Sequence, residues 1–572
     1  MQSTNSLANL NDSRRSNYGS LASESVESEL NTYEVTGEVT TIASDSTRSG
    51  QPNIWLIEFA LFSNVFLSGF DGTVTASAYQ TIGNEFNRVD IASWITTSYL
   101  VASTSFQPLY GSFSDVLGRR RCLFFAGTLF GIGCLACAFS TNIYCLNAMR
   151  ALTGIGGGGL ITLSTIVNSD MVPQSKRGLF QAFQNIFLGL GAVLGASVGG
   201  LISSSIGWRW CFLLQVPLCV LSLLISHFHV KDQDEYILRV KNGDVEGGFL
   251  RLFREIDIPG SVLIVLGLTA QLLYLSLGSS VRTSLSWTHP LLVTLLAASF
   301  FFLYLFVIVE RTTEAKAIVP KEMTRGLFSF IILTVSFMVG FASYAYLFTL
   351  PLFFQIVLGD SAAKAGLRLT IPSFFTPVGG IIMGVLMTKY ECLQLLLHFG
   401  IILMFFGNAL FLFIKKSTPE WLVGLYLVPA NMGQGITFPS TLFTFIFGFY
   451  KENQASATST LYLFRSIGSV WGVAGSAGLI QDLVAKNLLK SLKNILDEKE
   501  LKELIIKINL NTSIVNSLHG EVKHAVIESF DAATKKAHLL STTLCFLAFL
   551  LCIVRDVLQP KTFKQKAELA SR

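Results

Sequence analysis

A chain of 572 residues that is 51% hydrophobic and only 14% charged lies far below the roughly one-quarter charged fraction of soluble domains, which excludes a soluble globule, a disordered chain and a collagen-like fibre as global descriptions. The net charge of +5 is of the kind that loop lysines and arginines give to oriented membrane proteins, so nucleic acid is not an expected partner and the lipid bilayer is.

Residues 1–53 are rich in Ser, Thr, Asn and Glu and lack the basic start and apolar run of a cleavable leader. They predict a polar, disordered tail. From residue 54 onward, fourteen apolar stretches are long enough for a hydrocarbon core of ~30 Å, which takes roughly 20 helical residues. They are 54–79, 91–111, 122–140, 143–166, 180–202, 210–228, 258–278, 290–309, 327–350, 366–388, 393–414, 421–448, 460–484 and 538–556. The expectation is an all-α integral membrane protein with 14 transmembrane helices, built as two six-helix bundles plus two extra central helices. The predicted division is a cytosolic tail (1–53), an N-terminal bundle (54–229), a cytosolic linker with the two extra helices (230–326), a C-terminal bundle (327–556) with a luminal loop (485–537), and a cytosolic tail (557–572).

Span one holds two acids, Glu58 and Asp71. Thirteen residues apart on a helix, they are about 20 Å and 220° apart and cannot neutralise each other. Glu58 near the span end is expected to reach water. Asp71 lies near mid-span, where an unpaired carboxylate is costly and an acid is a functional candidate by default. Helix capping, or a structural pair with Arg150 or Arg465, is the alternative reading. Between spans two and three, Gly111 and Gly118 allow a tight turn, Asp115 can cap or pair, and Arg119, Arg120 and Arg121 stay at headgroup level. Cys134 and Cys137 in span three form a C-x-x-C inside an apolar helix with no second pair or histidines, which reads as packing and not as metal ligation. Arg150 in span four, about 10 Å inside the helix, needs a partner or water. The glycines at 156–159 have no Lys-Ser or Lys-Thr after them and no phosphate-cradling sequence occurs elsewhere, so neither ATP hydrolysis nor a cofactor is expected, and the chain does not read as an enzyme.

Span five carries Gly191, Gly195, Gly199 and Gly200, and the four-residue spacing returns 277 residues later as Gly468 and Gly472 in span thirteen. Small residues four apart let helices approach closely, so packing alone is one reading. Duplicated halves around a midplane site, the architecture of secondary transporters, is the other. His398 in span eleven reads as structural. The 485–537 loop has nine lysines with interleaved acids, which predicts a solvated helical face. Leu488, Leu489, Leu492, Ile495 and Leu496 give it an amphipathic helical pattern, and Asn511-Thr-Ser is a glycosylation sequon. An even span count puts both termini on one side. The arginine triplet at 119–121, directly against a helix end, assigns that side to the cytosol, although the lysines of the long loop pull the other way.

The run from Gly111 through Asp115, Gly118 and Arg119 to Arg121 resembles the signature between helices two and three of the major facilitator superfamily. The resemblance implies that Gly111, Asp115, Gly118 and Arg119 latch the two halves and gate transport. Arg150 with Gly154, Gly156 and Gly157 resembles the family's second motif. Gly191, Gly195, Gly199 and Gly200 resemble the span-five motif of its 14-helix drug:proton antiporter branch, with Ala196 where that motif has proline. Trp208 to Pro217 is similar to the segment opening span six of that branch, with Gln215 replacing the more usual Asn. Gly69 to Ala76, around Asp71, and Ala457 to Val470, around Arg465, look most like fungal vacuolar basic amino acid transporters. Over residues 54–556 the resemblance implies a proton-coupled secondary active transporter. It would move Lys, Arg or His from cytosol to vacuole by alternating access, as a monomer in the vacuolar membrane with both termini cytosolic. The implied partners are a small cationic substrate and protons, without cofactor or metal, and Asp71, Arg150 and Arg465 are the substrate or proton residues. A plasma-membrane multidrug:proton antiporter and a non-transporting nutrient receptor are the other functions the scaffold allows.

Overall fold

The computed structural model describes residues 54–88, 91–92, 94–230, 255–278, 287–313, 315–360, 362–390, 392–449, 453–492, 500, 503–504, 515 and 518–558. Of its two compact units, Met1–Ile54 lies outside these residues except for Ile54, and Trp55–Arg572 holds the helices. Asn511 and its sequon, both tails up to 53 and from 559, and the linker 231–254 also lie outside them.

Each of the fourteen apolar stretches carries helix. In chain order these are α1 (Ile54–Glu85), α2 (Trp94–Phe106), α3 (Leu109–Leu117), α4 (Arg119–Ala138), α5 (Ile143–Met171) and α6 (Gln174–Ile202). A π-helical turn, Ser203–Gly207, leads to α7 (Arg209–Leu213) and α8 (Gln215–His229). Then come α9 (Ile258–Gly278), α10 (Pro290–Thr312), the short α11 (Lys321–Thr324) and α12 (Leu327–Leu352), which ends in a second π-helical turn, Phe353–Val357. The chain closes with α13 (Ala362–Tyr390), α14 (Leu393–Phe411), α15 (Glu420–Ile446), α16 (Gln454–Leu492) and α17 (Gly520–Leu558). Among the described residues there is no strand, only an isolated bridge between Ile256 and Lys316.

By length and composition, nine helical segments among the described residues are apolar enough to cross a membrane: α4, α5, α7 with α8, α9, α10, α12 with its π turn, α14, α16 and α17. Of the other stretches, α15 is diluted by polar and small residues and α2 is only 13 residues long. α2 and α3 are separated at Pro108, α13 contains Pro372 and Pro377, and α15 contains Pro429 and Pro439. Such helices suit burial against protein, where close packing replaces lipid contact. In α15, Thr437, Ser440 and Thr441 each donate to the carbonyl four residues back at 2.6–2.7 Å, so their buried hydroxyls need no outside partner.

Glycines set the helix crossings, and they do so twice. Where α1 crosses α6, a Cβ on Gly69, Gly191 or Gly195 would fall on the backbone carbonyl of Leu188, Phe66 or Phe70. Where α12 crosses α16, Gly340, Gly468 and Gly472 meet the carbonyls of Arg465, Phe337 and Phe341 in the same pattern. Gly156 on α5 presses on the Phe130 amide and Ala126 carbonyl of α4, and Gly433 on α15 meets the Met404 amide and Gly400 carbonyl of α14. The 277-residue offset is thus a repeat of whole helix crossings. Arg177 even donates to Gln454, its own counterpart 277 positions on, at 3.2 Å. A residue that touches its counterpart lies near the axis relating the two repeats.

The flanks of the predicted 485–537 loop are helix. α16 continues to Leu492 and α17 already begins at Gly520. Leu488, Leu492, Val526, Phe530, Ala533 and Ala537 are buried in one cluster with Phe353, Phe354 and Phe411. That apolar contact is why the helices extend beyond the spans.

Candidate functional site

α1 and α5 carry Asp71 and Arg150 to one buried point. Arg150 Nη1 donates to both Asp71 carboxylate oxygens at 2.6 and 2.8 Å, Nη2 to the Asp71 carbonyl at 3.3 Å, and Nε to the Ile95 carbonyl at 3.1 Å. Neither side chain has exposed surface. Gln215 Nε2 donates to Asp71 Oδ1 at 3.2 Å. The guanidinium lies 4.5 Å from the ring of Tyr99 and 5.5 Å from that of Phe212, and the Tyr99 and Ser68 hydroxyls share a hydrogen bond of 3.2 Å. The pair is neutral as a whole, which lets it sit out of water, but loss of either charge would strand the other. Of the partners considered for Asp71, Arg150 is the one present.

Arg465 stands apart. It is half-buried on α16, its guanidinium over the rings of Tyr462 at 4.2 Å and Phe438 at 4.7 Å. Among the described residues no carboxylate lies within ion-pair distance of it, so aromatic faces supply its electrostatic support. Glu58, expected to reach water, is buried instead, and among the described residues neither carboxyl oxygen has a hydrogen-bond partner. Its neighbours Ile57 and Leu61 pack into a cluster with Leu123, Cys219 and Val230, so other helices cover that end of α1.

The signature run forms a second polar centre. Gly118 adopts φ 91°, the left-handed turn that lets α3 double back into α4. Asp115 pairs with Arg119 at 2.7 Å and with Lys316 Nζ at 3.0 Å, and accepts from the Ser456 hydroxyl of α16 at 3.2 Å. Arg119 also holds Asp170 at the end of α5, at 2.9 Å. A Cβ on Gly111 would strike Ser459 of α16. Further hydrogen bonds link the two repeats here and toward mid-helix: Thr165 with Tyr462 at 3.1 Å, and Ser466 to Gln107 at 2.8 Å. Asp115 therefore joins α4, the segment before α11, and α16.

Gly199 and Gly200 occupy the last turn of α6, where their carbonyls take the Ser203 amide. Cys134 and Cys137 are buried free thiols. His398 Nε2 lies 3.2 Å from Asp556. Among the described residues no group of His, Cys, Asp and Glu is arranged to hold a metal.

At the opposite end, Glu85 accepts from Trp208 Nε1 and Arg209 Nη1, both at 2.6 Å. Burial opposes its ionisation, yet these two donors hold its carboxyl below the usual range. Glu420 accepts from Lys364 at 2.6 Å and Arg368 at 3.0 Å. The Lys364 hydrogen bond, with the Arg368 charge, holds Glu420 below the ordinary carboxylate range, and Glu420 holds Lys364 above the ordinary amine range.

Sequence reading missed Asp170, Lys316 and Ser456 as partners of the signature run, and Tyr99 as the cover of Arg150. Asp170 had a readable signal, an acid closing an apolar span. Lys316 and Ser456 had none, because only folding brings them to Asp115.

The family model described as "Major Facilitator Superfamily" matches residues 61–473. The chain is 63% identical over 475 residues to Vacuolar basic amino acid transporter 2 of Saccharomyces cerevisiae, covering 83% of this chain and 100% of that one. It is 32% identical to Vacuolar membrane amino acid uptake transporter fnx2 of Schizosaccharomyces pombe, covering 86% and 82%. Among solved structures it resembles the proton:xylose symporter XylE with a TM-score of 0.52 and 14% identity, covering 87% of this chain and 94% of that one. With the family model spanning most of the helices, the signature run at the α3–α4 turn and a fold shared with a solved member, the chain belongs to the Major Facilitator Superfamily.

Proposed function

We propose that this chain is a transporter of the vacuolar membrane that moves basic amino acids from the cytosol into the vacuole by alternating access, in exchange for protons. The observation that carries the reading is the 63% identity across the whole length of the vacuolar basic amino acid transporter of S. cerevisiae. The site chemistry supports it. Asp71 is an acid within the helices whose charge is balanced, among the described residues, by Arg150 and one Gln215 hydrogen bond. A proton or a cationic side chain competing for that carboxylate would free Arg150 and shift the local charge by one, which is the coupling an exchanger needs. Arg465, lacking a carboxylate partner among the described residues, offers a cation to the carboxylate of an amino acid substrate. Gly111, Asp115, Gly118 and Arg119 act as the latch between the repeats. On this reading the latch end is cytosolic, both termini lie on that side, fourteen helices cross the membrane, Asn511 is luminal and glycosylated, and the protein works as a monomer.

The test is ATP-driven uptake of labelled Lys, Arg and His by vacuolar vesicles with and without the protein. Uptake that needs the protein and collapses with a protonophore is expected. Vesicles that take up the three amino acids equally without it would overturn the substrate, and uptake indifferent to a protonophore would overturn the coupling. Protease treatment of sealed vesicles should remove an amino-terminal tag and spare one in the 493–519 segment, and the reverse pattern would invert the orientation.

A further inference from the structure

Two carboxyls meet where α9 and α10 approach the latch. Glu310, in the last turn of α10, is 6% exposed, and its Oε1 accepts the Val319 amide at 2.6 Å. Asp257, immediately before α9, is 2% exposed, and its Oδ1 accepts the Gly260 amide at 2.9 Å. The remaining oxygens, Glu310 Oε2 and Asp257 Oδ2, are buried and receive no donor among the described residues, yet the two carboxyls are within hydrogen-bond reach of each other. Two carboxylates cannot hydrogen-bond, whereas an acid and a carboxylate can. One proton on Glu310 Oε2, donated to Asp257 Oδ2, satisfies both orphaned atoms at once.

The same pair anchors the segment that reaches the latch. The Lys316 amide donates to the Glu255 carbonyl at 2.9 Å. Ile318 and Val319 are buried among Leu109, Ile264, Phe306 and Leu463, and Lys316 Nζ extends to Asp115. Among the described residues the charged groups around the pair are few. From α3 and α4 come Asp115 and Arg119, bound to each other. Lys316 belongs to the docked segment itself, and Glu255 to the residues before α9 on which it docks. Lys321 is turned to the Arg311 carbonyl at 2.6 Å, with both residues exposed. From α16 the facing side chains, Leu463 and Ile467, are apolar.

We propose that Asp257 and Glu310 form a proton-binding site whose occupancy keeps residues 315–319 docked and Lys316 on Asp115. When the proton leaves, two adjacent buried negative charges remain. They are relieved by undocking the segment, and that movement takes Lys316 from Asp115 and loosens the latch. The site goes beyond the transport reading and stands whichever substrate is carried.

The test places a cysteine at the buried Ile318 (Ile318→Cys) in the full chain, with and without Glu310→Gln, and follows N-ethylmaleimide labelling from pH 5.5 to 8.5, corrected for labelling of the protein without Ile318→Cys. Gln at 310 copies the protonated acid: its oxygen still accepts from Val319 and its amide still donates to Asp257. Dividing the rate without Glu310→Gln by the rate with it cancels the thiol's own ionisation. The ratio is expected to be near one at low pH and to rise about tenfold for each pH unit above the apparent pKa of the pair. A ratio that stays within about twofold over the whole range would overturn the proposal. Asp257→Asn, which also leaves only one ionisable group, should remove the pH dependence in the same way and serves if the glutamine variant does not fold, and pH-dependent labelling that survives it also counts against the site.

Discussion

An aspartate and an arginine without exposed surface hold each other between α1 and α5, and each is tolerable there only with the other in place. Asp71→Asn should therefore abolish uptake and also lower stability, by about 3–5 kcal/mol as for other broken buried pairs, while Asp71→Glu keeps the charge and part of both. Thermal unfolding in detergent beside vesicle uptake separates the effects, and an Asn variant that melts like the parent would show that Arg150 finds relief elsewhere. The sequence named both residues but left Asp71 with several partners, because helical phase gives the direction of a side chain and not the helix it meets. Arg465 could be set apart from the pair only once α16 was seen to place it over Tyr462 and Phe438. Glu58 was misread for a related reason: position near a span end does not reveal whether another helix covers it.

The crossings of α1 with α6 and of α12 with α16 are fixed by glycines that touch carbonyls. Gly468→Val should prevent the α12–α16 contact and strongly cut the yield of folded protein. Gly189→Ala, at a helix position with nothing within 4 Å, should leave the melting temperature unchanged or raise it, since alanine is favoured over glycine in a helix by about 1 kcal/mol. Equal behaviour of the two variants would refute the crossing argument. A second element contact is pH-sensitive. Glu420 at the start of α15 is held by Lys364 and Arg368, so its folded-state pKa lies below its unfolded value. The stability it contributes is complete above the ordinary glutamate value of about 4.3 and is lost as pH falls through the lower folded value. Melting temperatures from pH 7 down to pH 3 should fall more for the parent than for Glu420→Gln, and parallel curves would dismiss the contact. The long helix extensions around residues 485–537 were legible only as an amphipathic pattern, because the cluster that extends them comes from α12 and α14, more than sixty residues away in sequence.

Taken as one molecule, the chain closes at the latch end through Asp115, which gathers Arg119, Lys316 and Ser456 from three segments. Asp115→Asn keeps the shape but removes the charge that holds two cations, so turnover should fall at least tenfold while folded protein stays near the parental amount. Uptake at the parental rate would remove the residue from gating. The duplicated plan was readable from a pair of glycine spacings, since packing constraints leave a mark in local sequence. The ties between the repeats were not, because each half contributes only one side of every bond. The Arg177–Gln454 contact carries a historical consequence. In an ancestor made of two identical copies, these positions held the same residue and faced each other across the symmetry axis. Two arginines there would repel, and two glutamines would hold without charge. The present unlike pair is a bond that two identical copies could not form, and it requires that the two repeats have changed independently.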